Sequence, residues 1–272
     1  MIEPRESLLE VRGLRVEFEG RAAVDDVSFE IAPAEVLGLV GESGSGKSTL
    51  ARALLRLVPA AQGTVRFRGT DLLRCTGRAL RRHRRDLQIV FQDPLASLDP
   101  RMTVGETLAE PLEIFEPTIG TRERRTRVAE MLERVGLAPQ VAGRYPHEFS
   151  GGQCQRIGIA RAMMQRPELL VCDEPVSSLD MSIQGQIVNL LSDLQRDLGT
   201  AMLFISHNLA VVRHLSQRVM VMYAGRIVEI AGASELFAAP VHPYTRALLA
   251  AVPDPAAALC PPGEPLVYSY ER

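Results

Sequence analysis

Residues 41–48 read Gly-Glu-Ser-Gly-Ser-Gly-Lys-Ser and fit the pattern Gly-x-x-x-x-Gly-Lys-Ser/Thr. The apolar run Val36-Leu-Gly-Leu-Val40 leads straight into it. Such a run reads as a buried central strand. A helical pattern follows from Ser48 to about Leu57, with a stop expected near Pro59. Strand, glycine loop and helix in that order make a cradle for phosphate. Glycines let the backbone wrap an anion where side chains would collide. The loop N–H groups and the helix N-terminus face the charge. The expected nucleotide contacts are Gly41, Glu42, Ser43, Gly44, Ser45, Gly46, Lys47, Ser48 and Thr49. Lys47 is placed to reach the β- and γ-phosphates, and Ser48 to offer its hydroxyl to Mg²⁺.

A nucleotide site of this kind needs a carboxylate at the end of a second buried strand. Leu169-Leu-Val-Cys-Asp-Glu174 supplies one. Asp173 is expected in the Mg²⁺ shell, and Glu174 as the general base that activates a hydrolytic water. His207 ends a further apolar segment, Ala201 to Ser206. There it is placed to contact the γ-phosphate and orient the attacking water.

The rest of the chain divides by pattern. Leu8–Phe18, Val27–Ile31, Val65–Arg68, Leu87–Phe91 and Val219–Tyr223 read as strands. From about Asp93 to Gln165 the signals are helical. Val128, Met131, Leu132 and Val135 fall on one helical face, and Gln153 to Gln165 reads as another helix. Ile183 to Leu198 marks a long amphipathic helix. Strand–helix alternation on both sides of a helical insert predicts an α/β core carrying an all-α subdomain. The tail from about Ser234 is helical and then proline-rich, from Pro253 to Pro265.

Composition excludes several classes. Hydrophobic residues make up 46% of 272, too many for a disordered chain. Lys+Arg 31 against Asp+Glu 33 gives a net charge of −2, so no global basic field points to nucleic acid. The basic stretch Arg74 to Arg85 lacks interleaved aromatics and reads as a solvated helix face. No run approaches the length of a membrane span. The N-terminus lacks the apolar core of a secretory signal, which predicts a cytoplasmic chain. Cys75, Cys154, Cys172 and Cys260 match no zinc spacing and are expected to be reduced thiols.

Taken together, these residues resemble the ATP-binding cassette ATPases. Phe149-Ser-Gly-Gly-Gln153 looks like the family signature, Gln92 like its Q-loop, Ser178-Leu-Asp180 like its D-loop and His207 like its switch histidine. Phe18 fits the aromatic that stacks on adenine. The resemblance implies a P-loop, RecA-like α/β core over 1–92 and 166–233, a helical signature subdomain over 93–165, and a C-terminal extension over 234–272. It also implies catalytic roles for Lys47, Gln92, Glu174 and His207, and a Mg²⁺ shell of Ser48, Gln92 and Asp173. Ser150, Gly151, Gly152, Gln153 and Asp180 are then expected to close over ATP held by a partner chain, in a head-to-tail dimer.

Longer stretches narrow the resemblance. Phe91-Gln-Asp-Pro-Leu-Ala-Ser-Leu-Asp-Pro-Arg101 and His242-Pro-Tyr-Thr-Arg-Ala-Leu248 are similar to the oligopeptide/dipeptide importer ATPases. Their second ATPase subunit is the nearest type. The same branch includes nickel, glutathione and peptide-antibiotic importers. Expected partners are a paralogous ATPase, two integral-membrane permeases and an external solute-binding protein, at the cytoplasmic face of the inner membrane, with no nucleic acid. Soluble cassette ATPases of nucleic acid or ribosomes form the competing class. They usually carry tandem cassettes, long coiled-coil inserts or zinc cysteines, none of which is seen here. Two departures stand out. Ala34 replaces the usual Gly before Glu35, a turn change of expected small effect. Only Cys260 lies in the tail, which excludes the iron–sulfur cluster some relatives hold there.

Overall fold

The computed structural model describes residues 7–251. The proline-rich tail and Cys260 lie outside them. The chain opens with a hairpin, β1 (Leu9–Phe18) and β2 (Arg21–Ile31). Along β1, Leu9, Val11, Leu14 and Val16 are buried. Alternation buries Leu9 and Val11, then Leu14 and Val16, the phase being restored by an irregularity in the β1–β2 pairing between Val11 and Leu14. With β4 (Gln62–Phe67) and the short β5 (Thr70–Asp71), these strands form an antiparallel sheet in the order β2-β1-β4-β5.

The second sheet holds β3 (Val36–Val40), β6 (Leu87–Val90), β7 (Leu169–Asp173), β8 (Ala201–Ile205), β9 (Arg218–Tyr223) and β10 (Arg226–Gly232). Its order is β10-β9-β3-β8-β7-β6. All pairs are parallel except β10 on β9. Every residue of β3, β7 and β8 is buried, as strands covered on both faces require. Consecutive side chains point to opposite faces, so Leu203 and Phe204 of β8 enter different cores. Leu203 joins the core shared with β1, β2 and α1 (Lys47–Leu54); Phe204 joins the core shared with the later helices.

Helix α2 (Gly77–Asp86) carries the arginine-rich stretch and buries no residue. Between β6 and β7 come α3 (Val104–Phe115), α4 (Thr121–Arg134) and α5 (Gly151–Met163). Thr103 and Glu106 form a capping box at the start of α3. α4 buries Val128, Met131 and Leu132, the face its periodicity predicts. Glu116, just after α3, pairs with Arg127 of α4 at 2.7 Å. The chain continues through α6 (Met181–Leu198), α7 (Leu209–Leu215), α8 (Ala233–Ala238) and α9 (Pro243–Ala250).

The structure departs from sequence expectation in a few places. β2 begins at Arg21 rather than Val27. α1 stops at Leu54, short of Leu57. α5 begins at Gly151, two residues early. β10 and α7 were not foreseen. β10 has mixed, half-buried positions, and α7 is seven residues long, too short to show a helical period. Cys75, Cys154 and Cys172 are free thiols. Among the described residues no helix is long and apolar enough to cross a membrane.

Candidate functional site

Four parallel strands deliver the predicted residues to one edge of the sheet. β3 runs into the glycine loop, β6 into Gln92, β7 into Asp173 and Glu174, and β8 into His207. The carboxyl ends of parallel strands are where α/β sheets bind ligands. The central contact joins two of them: Ser48 Oγ donates to Asp173 Oδ1 at 2.7 Å. Ser43, Gly44, Gly46, Lys47, Ser48, Thr49, Gln92, Glu174 and Ala23 of β2 line a cleft of about 250 Å³.

The loop itself is close-packed. Gly46 sits at φ 106°, and a Cβ there would lie 2.3 Å from Ala23 O. A Cβ at Gly41 would lie 2.2 Å from Met222 O. Only glycine fits either position. Lys47 is buried, and its Nζ donates to Gly41 O at 2.8 Å and Glu42 O at 2.7 Å. Burial pulls the Lys47 ammonium below its ordinary pKa, against the opposing field of Glu174 and Asp173. Burial also raises the Asp173 carboxyl, although the Ser48 hydrogen bond works the other way. A buried cation among carboxylates and loop dipoles is a poor packing arrangement but a good phosphate receptor.

Around the cleft, Glu174 Oε2 stands 3.4 Å from His207 Nδ1. Ser178 Oγ donates to Gln92 O at 3.5 Å. The remaining predicted residues lie outside the cleft wall. Ser150 caps α5 with Gln153 and is exposed. Gly151 and Gly152 open that helix, and a Cβ on Gly152 would lie 2.7 Å from Ile183 Cγ2 of α6. Asp180 precedes α6 and is exposed. Phe18 is 48% exposed at the β1–β2 turn. Sequence reasoning missed two neighbours of the loop. Ala23 carries no chemical signal, and its place depends on the register of β2. Tyr244 belongs to the quoted His-Pro-Tyr segment, yet its hydroxyl meets the backbone of Glu42.

The ABC transporter family profile matches residues 24–177, and that of the oligopeptide/dipeptide transporter C-terminal region matches residues 228–265. The chain belongs to the ABC transporter family. The oligopeptide transport ATP-binding protein OppF of Salmonella typhimurium is 52% identical over 268 residues, covering 94% of this chain and 80% of that protein. A putative peptide import ATP-binding protein of Brucella ovis is 56% identical over 253 residues, covering 91% and 79%. Among solved structures, cbiO1 from Clostridium perfringens, part of an ABC transporter complex, superposes with a TM-score of 0.77 at 26% identity, covering 86% of this chain and 91% of that one. A dimeric ATP-binding cassette in a post-hydrolysis state bound to ADP and Pi gives a TM-score of 0.75 at 27% identity, covering 83% and 98%. This chain is thus an α/β ATPase of the ABC transporter family.

Proposed function

We propose that this chain binds and hydrolyses MgATP to energise a peptide importer. The observation that carries the reading is the Ser48–Asp173 contact, which joins the glycine loop to the strand-end carboxylate beside Lys47, Gln92 and Glu174. Hydroxyl, carboxylate and amide oxygens are the hard donors Mg²⁺ prefers. Ser48, Asp173 and Gln92 would hold the ion. When bound, it neutralises charge on the transferred phosphate. Lys47 and the loop N–H groups hold the phosphates. Glu174 accepts the proton of the attacking water, and His207 holds that carboxylate and water in line.

Peptide as cargo is supported by the names of the relatives in Salmonella typhimurium and Brucella ovis and by the C-terminal match. The helices at 93–165 act as the signature subdomain, with 234–272 as the extension. A permease segment docks in the cleft of about 1000 Å³ lined by Arg101, Glu106, Glu110, Arg124, Val128 and Ala142. A paralogous ATPase completes a head-to-tail dimer, in which Ser150–Gln153 and Asp180 face the partner's nucleotide. Phe18, exposed at the β1–β2 turn, is the aromatic assigned to stack on adenine. The assembly sits on the cytoplasmic face of the membrane and receives solute from an external binding protein.

The test is Lys47→Ala in the reconstituted importer. MgATP binding and turnover should fall to background, because one phosphate contact in such a site carries several kcal/mol. Turnover at the wild-type level would reject the site. Peptide-loaded binding protein should stimulate the wild-type complex more than nickel- or glutathione-loaded protein; the reverse order would reject the cargo.

A further inference from the structure

One peptide unit of the phosphate loop is gripped from both sides. The carbonyl of Gly41 accepts from Lys47 Nζ at 2.8 Å. The N–H of the same peptide, on Glu42, donates to Tyr244 Oη at 3.1 Å. A peptide is planar and rigid, with its N–H and C=O pointing opposite ways. Fixing one end therefore fixes the other. Lys47 also holds the next carbonyl, Glu42 O. Tyr244 thus constrains the peptide plane on which the Lys47 ammonium rests.

Tyr244 is itself well placed to bear this load. It lies in α9, beyond the whole nucleotide-binding segment of the chain. Its ring packs on Tyr223 with centroids 4.3 Å apart, tilted 38°. Tyr223 ends β9, beside the β9–β10 turn whose Gly225 N donates to Ser45 O at 3.0 Å. The segment entering α9 is tied to β10: Glu229 accepts from Val241 N at 2.8 Å and His242 N at 2.9 Å. His242 Nδ1 then accepts from Tyr244 N at 3.2 Å. Within the loop, the residues that line the cleft begin at Ser43. Glu42 is thus held at the loop's entrance, next to the phosphate-facing residues.

From this geometry we infer that Tyr244 is a positioning residue for ATP binding. Its phenol oxygen orients the Gly41–Glu42 peptide, and through it Lys47. The C-terminal region shared with oligopeptide/dipeptide transporters is thereby coupled to the nucleotide loop of the same chain. The inference rests on residues 41–49 being the phosphate loop.

The experiment compares full-length wild type with Tyr244→Phe, which keeps the ring on Tyr223 and removes only the oxygen. MgATP affinity is measured by calorimetry, kcat and KM in the assembled importer, and deuterium exchange over residues 41–47. Loss of one hydrogen bond to a positioned donor is worth on the order of threefold to tenfold. Kd and KM for MgATP should rise by about that factor with kcat nearly unchanged, the pattern of lost uniform binding. Exchange should quicken in 41–47 alone, at unchanged Tm. Wild-type Kd, KM and exchange in the variant would overturn the inference. So would a weaker Kd accompanied by a lower Tm and faster exchange throughout α9 and β10, which marks general loosening. Lys47→Ala, run alongside, separates the two readings. If it retains turnover, the loop assignment itself fails; if it is inactive while Tyr244→Phe is unaltered, only the role of Tyr244 fails.

Discussion

Glu174 is held at φ 50°, a backbone region that non-glycine residues seldom occupy. Its N–H donates to Ile205 O at 3.0 Å, so β8 fixes the strained position. Strain of this sort costs on the order of 1–3 kcal/mol and persists where function needs it. Here it turns the carboxylate toward His207 and the cleft. Replacing Glu174 by Gln keeps the shape and removes the base. Turnover should fall by about 10²-fold or more while MgATP affinity is retained. Single-turnover kinetics beside equilibrium binding would show it, and unaltered turnover would remove Glu174 as the base. That Lys47, Ser48, Asp173 and Glu174 would come together was legible in the sequence because they lie at or just beyond the ends of two apolar strands. The backbone twist at Glu174 and the proximity of Ala23 were not. The first depends on β7 meeting β8 in one sheet, and the second on β2 of the antiparallel sheet meeting the loop that follows β3 of the other.

At the scale of elements, buried strands and long helices were the readable part. β3, β7 and β8 are continuous apolar runs, and α4 and α6 repeat their apolar face over several turns. Half-buried β10 and brief α7 left too little pattern. The turn between β2 and β3 shows what a single residue does to a connection. Ala34 adopts φ 58°, where L side chains are disfavoured. That is the physical reason a glycine suits this position. Its carbonyl accepts from Gln195 Nε2 of α6 at 2.9 Å, and Glu35 Oε2 accepts from Ala32 N at 2.7 Å. These bonds hold the turn in the unfavourable region. Ala34→Gly should raise stability by about 0.5–1 kcal/mol, the relief of strain exceeding the extra freedom of the unfolded chain. Chemical denaturation with an unchanged m-value would measure it; a lower midpoint would show that the turn carries no strain.

At the scale of the whole molecule, the cleft and the α5 N-terminus are separate surfaces. No residue from 150–153 lines the 250 Å³ cleft. Such a separation suits a site completed by a second chain. Ser150→Arg should therefore impair hydrolysis of ATP held on the partner's loop and spare binding to this chain's own. The defect should be read in the mixed dimer, with each P-loop lysine inactivated in turn. A loss confined to this chain's loop would reject the head-to-tail arrangement. The sheet order has one more consequence, in the time course of synthesis. β3, which presents the phosphate loop, pairs only with β8 and β9: Val36 sits beside Met202, and Leu37 beside Arg218. Both neighbours are made only after β4, β5, β6 and β7. At the usual pace of about 5–20 residues per second, the nascent strand waits on the order of ten to thirty seconds for them. Throughout that interval the glycine loop lacks the strands that flank β3, and with them the β9–β10 turn whose Gly225 N donates to Ser45 O. The chain gains its nucleotide site only when β8 and β9 close beside a strand completed long before.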